Sequence, residues 1–153
     1  MPCMRVVHRI APLRVLDRTR WEQLWSDYQQ FYGIQLPAAA TEATWLRLHH
    51  GRIHGLGARD ADDRLVGIVH FLTHEDTWST KPACYLQDLY VDPSIRSKGC
   101  GTALIAAVAA AARTMGSSPP YWLTHESNAI ARSLYDSVGR NHGFIQYTYL
   151  TPD

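Results

Sequence analysis

The chain is 153 residues long, which fits one domain with a buried core. Hydrophobic residues make up 46% of it and charged residues 19%, and the formal net charge of +1 argues against a nucleic-acid binder held by bulk electrostatics. Three cysteines without a CxxC pair, no signal peptide and no apolar run of about 18 residues predict a cytoplasmic protein with free thiols that does not enter a membrane. The eight histidines lack zinc spacing, so no metal is expected.

The first half of the chain predicts a strand, two helices and two further strands. Apolar side chains at three- and four-residue spacings follow Asp17, which predicts a helix capped by that residue. Thr41 is expected to cap a second helix, and Gly51 to end it. The predicted ranges are strand Val6–Leu13, helix Asp17–Tyr32, helix Glu42–His50, strand Ile53–Arg59 and strand Leu65–Thr73.

The second half alternates strands with helices. A strand ended by Pro93 leads into a long alanine-rich helix, which the segment SSPP breaks. The predicted ranges are strand Ala83–Val91, helix Gly99–Met115, strand Tyr121–Thr124, a helix from Ser127 or Asn128 to about Val138, and strand Gly143–Thr151. This order predicts an α/β layered domain around a mixed sheet, with no repeat or linker, so that residues 1–153 form a single domain.

The stretch RSKGCG, residues 96–101, joins a predicted strand to the alanine-rich helix and has four interpretations. A dinucleotide fingerprint lacks its third glycine because Leu104 stands there, and a Walker-type loop needs its lysine after the glycines, whereas Lys98 precedes them. A pyrophosphate cradle fits, since the N–H groups and dipole of a helix start favour an anion, and Arg96 and Lys98 add positive charge. A plain glycine-rich turn fits these six residues as well.

Two longer segments carry a family resemblance. LQDLYVDPSIRSKGCGTAL resembles the acetyl-CoA-binding motif of the GNAT superfamily of acyl-CoA N-acyltransferases, a strand followed by [Q/R]-x-x-G-x-[G/A] and a helix, with Arg96, Gly99 and Gly101 at the fixed positions. NAIARSLYDSVGRNHGF resembles the family's N-x-x-A-x-x-L-Y segment, which ends in G-F. The late G-F and the sequence YLQDLYV are similar to a subgroup with histone and polyamine acetyltransferases. The resemblance implies a GNAT-like fold over nearly the whole chain, with a mixed central β-sheet splayed at the cofactor site and flanked by helices.

The same resemblance implies acetyl-CoA as the acyl donor. Backbone N–H groups at the start of the alanine-rich helix would bind its pyrophosphate, and glycine is needed where a side chain would block that approach. Backbone groups of the preceding strand would pair with the pantetheine arm, as an added strand does. The implied cofactor-binding residues are Leu89, Tyr90, Val91, Arg96, Ser97, Lys98, Gly99, Cys100, Gly101, Thr102, Asn128 and Tyr135.

Cys100 has two interpretations. The simpler one is that it fills a variable position of the motif. A helix N-terminus beside Lys98 would instead lower the pKa of its thiol and raise its reactivity.

The resemblance also implies catalytic roles. Tyr135 matches the general acid that protonates the departing thiolate. Polyamine acetyltransferases carry L-E-D where this chain has Leu86-Gln87-Asp88, so the usual glutamate base is Gln87, which cannot take a proton but can hold a water. Asp88 is the nearest carboxylate, although strand alternation predicts that it points to the opposite face from Gln87. Further candidate bases are His70, His125 and Glu126.

Aromatic residues are the candidates for binding the acceptor. Trp25, Tyr28, Tyr32 and Trp78 could line a pocket for a cation or an apolar body, together with Gln87. The alternative is that the residues on the first helix, Trp21 above all, form its core face.

The expected function is acetyl transfer from acetyl-CoA to a primary amine of a small molecule or to a protein lysine, by direct attack in a ternary complex. The alternative, which the substitution at Gln87 supports, is a non-catalytic acetyl-CoA-binding module that senses the cofactor or serves an assembly. By resemblance to small domains of the family, we expect a homodimer.

Overall fold

A computed structural model of the chain describes residues 8–96 and 99–152. The chain divides into two compact units, one ending at Leu123 and the other starting at Thr124. Residues 6 and 7 of the first predicted strand lie outside the described residues, as do Ser97 and Lys98 of the predicted cofactor loop.

The first unit is built on a mixed five-stranded sheet, which confirms the predicted fold class. Neighbouring strands follow chain order, with β1 to β4 antiparallel and β5 parallel to β4. The parallel pair requires a crossover, and the alanine-rich helix supplies it. The strands are β1 Arg9–Pro12, β2 His54–Arg59, β3 Leu65–His74, β4 Ala83–Val91 and β5 Pro120–Tyr121.

Four helices and two short 3₁₀ turns complete the described structure. The helices are α1 Arg18–Phe31, α2 Ala38–His49, α3 Cys100–Thr114 and α4 Ala129–Val138, and the turns are Val15–Asp17 and Pro93–Ile95. None of the helices in the described ranges is both long and apolar enough to cross a membrane. The prediction that Thr41 caps α2 is wrong. The carbonyl of Pro37 accepts hydrogen bonds from the N–H groups of Ala40 and Thr41, so the helix begins at Ala38, four residues earlier than predicted.

Asp17 precedes α1 as predicted, but its side chain does not cap the helix. The carboxylate forms an ion pair with the guanidinium of Arg59 on β2, and both side chains are at most 5% exposed. It also accepts a hydrogen bond from the backbone N–H of Arg14 at 2.7 Å. Asp17 therefore ties the start of α1 to the sheet.

Side chains from α1 and α2 cover one face of the sheet, and α3 packs closely on β3. The α1 face buries Trp21, Leu24 and Trp25, which pack with Trp45 of α2 and with side chains of β3 and β4. This placement confirms that Trp21, at 0% exposure, is a core residue. A Cβ atom at Gly67 of β3 would lie 3.1 Å from both Cys100 Sγ and Leu104 Cδ1, so glycine permits this close approach of α3.

The predicted last strand, Gly143–Thr151, is absent, and no ladder pairing includes any residue from 140 to 152. Its apolar side chains are exposed, with Phe144 at 90% and Tyr147 at 86%. Alternating apolar and polar residues show that a segment can form a strand, but a strand requires a partner for its backbone groups.

Candidate active site

The sheet opens between β4 and β5. These strands pair at two positions only, Cys84 with Pro120 and Tyr85 with Tyr121. From Leu86 to Val91, β4 has no β5 partner within the part of the chain that the structure describes. Free N–H and C=O groups along such an edge can pair with an extended ligand.

Three predicted cofactor residues lie on this open stretch. Leu89 and Val91 are partly buried, and the Tyr90 side chain is 8% exposed within the core. Any contact of Tyr90 with a ligand along this edge therefore involves its backbone. Arg96 lies at the end of the stretch, where its Nε donates to the carbonyl of Val91 at 3.0 Å and its guanidinium lies 5.2 Å from the centre of the Tyr90 ring.

The loop after β4 ends in a left-handed glycine. Gly99 has φ +81° and forms the N-cap of α3, a conformation that other residues adopt only with strain. The first backbone bond of the helix runs from the Ala103 N–H to the Gly99 carbonyl. The N–H groups of Cys100, Gly101 and Thr102 precede that bond, so they lie where a helix start offers donors to an anion.

Asp92 anchors the start of this loop. Its carboxylate accepts from the N–H and hydroxyl of Ser94, at 2.9 and 2.7 Å, and forms an ion pair with Arg20 of α1. Burial alone would raise the pKa of Asp92, but the bonds from Ser94 and then Arg20 leave it below its ordinary value.

The thiol of Cys100 does not face the loop. It is 2% exposed and lies against Gly67 and Leu104 in the core, where burial raises its pKa to about 11. The suggestion that a helix N-terminus lowers this pKa is wrong, because desolvation of a thiolate in an apolar contact outweighs the helix dipole.

A β-bulge displaces Gln87. In the register of β3 and β4, His70 lies opposite Asp88 whereas Phe71 lies opposite Leu86, so Gln87 is the extra residue. Gln87 is exposed. Asp88 instead contacts the buried His70, and the expectation that the two side chains point to opposite faces stays a prediction.

Asp88 belongs to a chain of hydrogen bonds that runs into the core. Trp21 Nε1 lies 3.0 Å from His70 Nε2, and His70 Nδ1 lies 3.0 Å from Asp88 Oδ2. The side chain of His70 is 2% exposed and that of Asp88 is 16% exposed. The Asp88 carboxylate is thus bonded to the core through Oδ2, while part of the side chain remains accessible.

Tyr28 of α1 also interacts with Asp88. Burial raises the pKa of Tyr28 far above its ordinary value, and the negative charge of the nearby Asp88 carboxylate raises it further. The hydroxyl of Tyr28 therefore remains protonated beside this carboxylate. Burial, followed by the charge of Asp88, also raises the pKa of Tyr85, on the same strand as Asp88.

The structure brings together three of the four predicted pocket aromatics. Trp25 and Tyr28 stack with ring centres 5.5 Å apart, and Tyr28 meets Tyr32 edge-on at 5.1 Å. Trp25 is 7% exposed and belongs to the core, which leaves Tyr28 and Tyr32 as the accessible pair. Trp78 is 97% exposed on the loop after β3 and contacts none of these three rings.

In the second unit, the two motif residues lie on α4. Asn128 is its N-cap, and its side-chain oxygen accepts from the N–H of Ala131 at 3.4 Å. Tyr135 lies two turns later and is partly buried. Of the other candidate bases here, His125 interacts with the hydroxyl of Ser127 at 2.6 Å, which ties it to the local turn.

The link from Trp21 through His70 to Asp88 was not predicted from the sequence. The three residues are distant in the chain, and only the strand register places His70 opposite Asp88. A histidine at an otherwise apolar strand position was the one available signal. No group of three or more metal-binding side chains occurs in residues 8–96 and 99–152.

Comparisons with known proteins place this fold and its motifs in one family. The profile of the acetyltransferase (GNAT) family matches residues 16–140. The chain is 32% identical over 145 residues to the D-amino-acid N-acetyltransferase HPA3 of Saccharomyces cerevisiae, covering 93% of this chain and 88% of that protein.

Solved structures agree in fold. A probable acetyltransferase superposes with a TM-score of 0.82 at 23% identity, over 95% of this chain and 99% of that one. The aminoglycoside enzyme AAC(6')-Iy, in complex with the bisubstrate analogue CoA-S-monomethyl-acetylneamine, superposes with a TM-score of 0.80 at 19% identity, over 96% of this chain and 99% of that one. The chain belongs to the GNAT family of acetyltransferases, and it is an N-acetyltransferase.

Proposed function

We propose that this enzyme transfers the acetyl group of acetyl-CoA to the primary amine of a small molecule, by direct attack in a ternary complex. The observation that carries the proposal is the open edge of β4, which includes Asp88 and leads into the left-handed Gly99 at the start of α3. One strand thus combines a backbone edge for the donor with a carboxylate for the acceptor.

The donor would lie along this edge. Its pantetheine arm would pair with the backbone of Leu89 and Val91, and its pyrophosphate would accept hydrogen bonds from the N–H groups at the start of α3. The family resemblance adds Ser97, Lys98 and Asn128 to the proposed cofactor-binding set. The bound thioester supplies an activated acetyl carbon to the amine.

A D-amino acid is the first acceptor class to test. The name of the relative from Saccharomyces cerevisiae describes that enzyme as acting on D-amino acids. In this chain, the accessible rings of Tyr28 and Tyr32 beside the Asp88 carboxylate suit an ammonium group that carries an apolar or aromatic body. Exposed Gln87 is proposed to contact the acceptor or to hold a water near it.

Asp88 is proposed to remove the proton that blocks the reaction. An amine of pKa about 10.4 is protonated at pH 7, and freeing its lone pair costs about 4–5 kcal/mol. Asp88 accepts that proton, and the nitrogen then bonds to the acetyl carbon as the carbon–sulfur bond breaks. Tyr135 is proposed to donate a proton to the departing sulfur. The nitrogen releases its second proton to solvent, and Tyr135 regains a proton from solvent.

Calorimetric titration with acetyl-CoA tests the donor. We expect binding with a micromolar dissociation constant, and no binding of NADH or ATP at the same concentrations. The matched variant Gly99→Val should weaken acetyl-CoA binding at least tenfold, because a β-branched residue at φ +81° distorts the helix start. Equal affinity for all three nucleotides, or none for acetyl-CoA, would refute the proposed donor.

We also propose that the enzyme is a cytoplasmic homodimer. The buried free thiols of Cys84 and Cys100 fit a reducing compartment, and the exposed apolar residues 144–150 suit an interface with a second copy. Light scattering should give twice the chain mass, and Phe144→Ser with Tyr147→Ser should shift it to one chain mass. Ile130→Ser, which removes an equally exposed side chain from α4, is the control. A monomeric wild type would contradict the dimer.

A further inference from the structure

The hydrogen bonds from Trp21 through His70 to Asp88 have a fixed direction. An indole N–H can only donate, so His70 Nε2 is the acceptor in the 3.0 Å contact with Trp21. In a neutral imidazole the other nitrogen then carries the proton, and Nδ1–H donates to Asp88 Oδ2. In both hydrogen bonds, therefore, the donor lies on the Trp21 side and the acceptor on the Asp88 side.

The core holds this arrangement in one state. Trp21 is 0% exposed and His70 is 1% exposed, so water does not reach their bond. The ring of Trp45 lies 4.9 Å from that of Trp21, and the ring of Trp25 lies 5.2 Å from that of His70. In an imidazolium both ring nitrogens carry a proton, so Nε2 would become a donor and could not accept the bond from Trp21. A buried positive charge would then face an indole N–H. His70 is thus held neutral, as the Nδ1–H tautomer.

Asp88 Oδ2 accepts a hydrogen bond from Nδ1–H of His70. Its side chain is 16% exposed, so part of the carboxylate stays open to an acceptor. The donor from β3 fixes the rotamer that a lone aspartate on a bulged strand would not keep. The geometry resembles an oriented base, in which a buried partner sets the direction of the accessible lone pairs.

From this geometry we infer that His70 and Trp21 are positioning residues, which hold Asp88 in the orientation that accepts the proton of the incoming amine. The inference rests on the proposed role of Asp88 in acetyl transfer. His70 does not exchange a proton with the amine in this scheme. Its bond from Trp21 prevents the other tautomer, in which the lone pair of Nδ1 would face and repel the Asp88 carboxylate instead of Nδ1–H donating to it.

Two measurements test the inference, and either one can contradict it independently of the other. Nitrogen-15 NMR of the wild type should show a neutral His70 with the proton on Nδ1, and Trp21→Phe should allow the other tautomer. Trp25→Phe is the matched control, because it removes a buried indole N–H that has no hydrogen-bond partner among the described residues. A wild-type His70 that is charged or protonated on Nε2 would overturn the inference even if the enzyme is active.

The second measurement is kinetic. His70→Leu should lower kcat about 100-fold with an unchanged KM for acetyl-CoA, as a misplaced catalytic group does. Trp21→Phe should lower kcat about tenfold. His70→Asn should recover most of the rate, since its amide N–H can replace Nδ1–H. Wild-type kcat in Trp21→Phe, or equal loss in His70→Asn and His70→Leu, would overturn the inference. If the leucine variant does not fold, the asparagine and phenylalanine variants still decide it. A wild type without turnover would refute the proposed function instead and leave the NMR result standing.

Discussion

Replacing Asp88 by Asn lowers kcat for acetyl transfer by about 10²- to 10⁴-fold, the range that a positioned general base contributes. The amide has nearly the shape of the carboxylate but cannot take the proton of an ammonium group. It can still accept a hydrogen bond from His70 and face Tyr28, so we expect the fold and the affinity for acetyl-CoA to persist. Steady-state kinetics with a saturating donor and a varied amine measures the effect.

Asp62→Asn is the control for the loss of one negative charge. Asp62 lies in the turn between β2 and β3, where its backbone N–H bonds to Asp60, and its side chain is exposed. That variant should keep wild-type kcat. An Asp88→Asn enzyme with more than half of the wild-type kcat would exclude Asp88 as the base. It would favour instead a water molecule held by Gln87 as the proton acceptor.

Replacing Asp17 by Ala should produce the largest loss of stability. The change removes the close carboxylate partner of the Arg59 guanidinium, which is 3% exposed, and leaves it the half-exposed carboxylate of Asp63, 4.0 Å from Arg59 Nε. Breaking a buried ion pair from one side typically lowers the free energy of unfolding by about 3–5 kcal/mol. Urea denaturation followed by tryptophan fluorescence measures the change, since Trp21 and Trp25 lie on the helix that Asp17 anchors.

The double variant Asp17→Leu with Arg59→Met separates the charge effect from packing. Replacing both partners by apolar side chains removes the stranded charge, so most of the lost stability should return. A double variant as unstable as Asp17→Ala would show that the shape of the pair matters more than its charge.

The same pair predicts a pH dependence. Burial alone would raise the pKa of Asp17, but the hydrogen bonds from Arg59 and from the Arg14 N–H, with the charges of both arginines, lower it below the ordinary 3.8. A carboxyl whose pKa is lower in the folded state stabilises the fold above its unfolded pKa. The wild type should therefore lose its advantage over Asp17→Asn as the pH falls below about 3.8 towards the folded pKa. An advantage that is constant down to pH 2 would contradict this.

The fold was largely predictable from local patterns. The spacing of apolar residues predicted both ends of α1 and both ends of α3 to within one residue. The bounds of β4 agree with the predicted Ala83–Val91. Pairing was less predictable, because it depends on partners far away in the chain. The alternation in residues 143–151 is that of a strand, yet no described residue pairs with this segment.

The candidate site was likewise predictable only where local sequence determines the structure. The sequence predicted that glycine is needed in the loop for the close approach of an anion, whereas the left-handed φ of Gly99 became known only from the structure. The bulge at Gln87 could not be predicted, since nothing in YLQDLYV marks the extra residue, and the contact of Asp88 with His70 depends on that register. The core direction of the Cys100 thiol also depends on packing, through the absence of a side chain at Gly67.

The most direct test of the account is to incubate the purified enzyme with acetyl-CoA and a panel of D-amino acids, L-amino acids and simple primary amines, and to detect the products by mass spectrometry. Mass detection avoids thiol reagents, with which the protein's cysteines could react. We expect N-acetylated amine and free CoA in equal amounts, and little of either with Asp88→Asn. Tight binding of acetyl-CoA without any acetylated amine would contradict it and favour a non-catalytic acetyl-CoA-binding module.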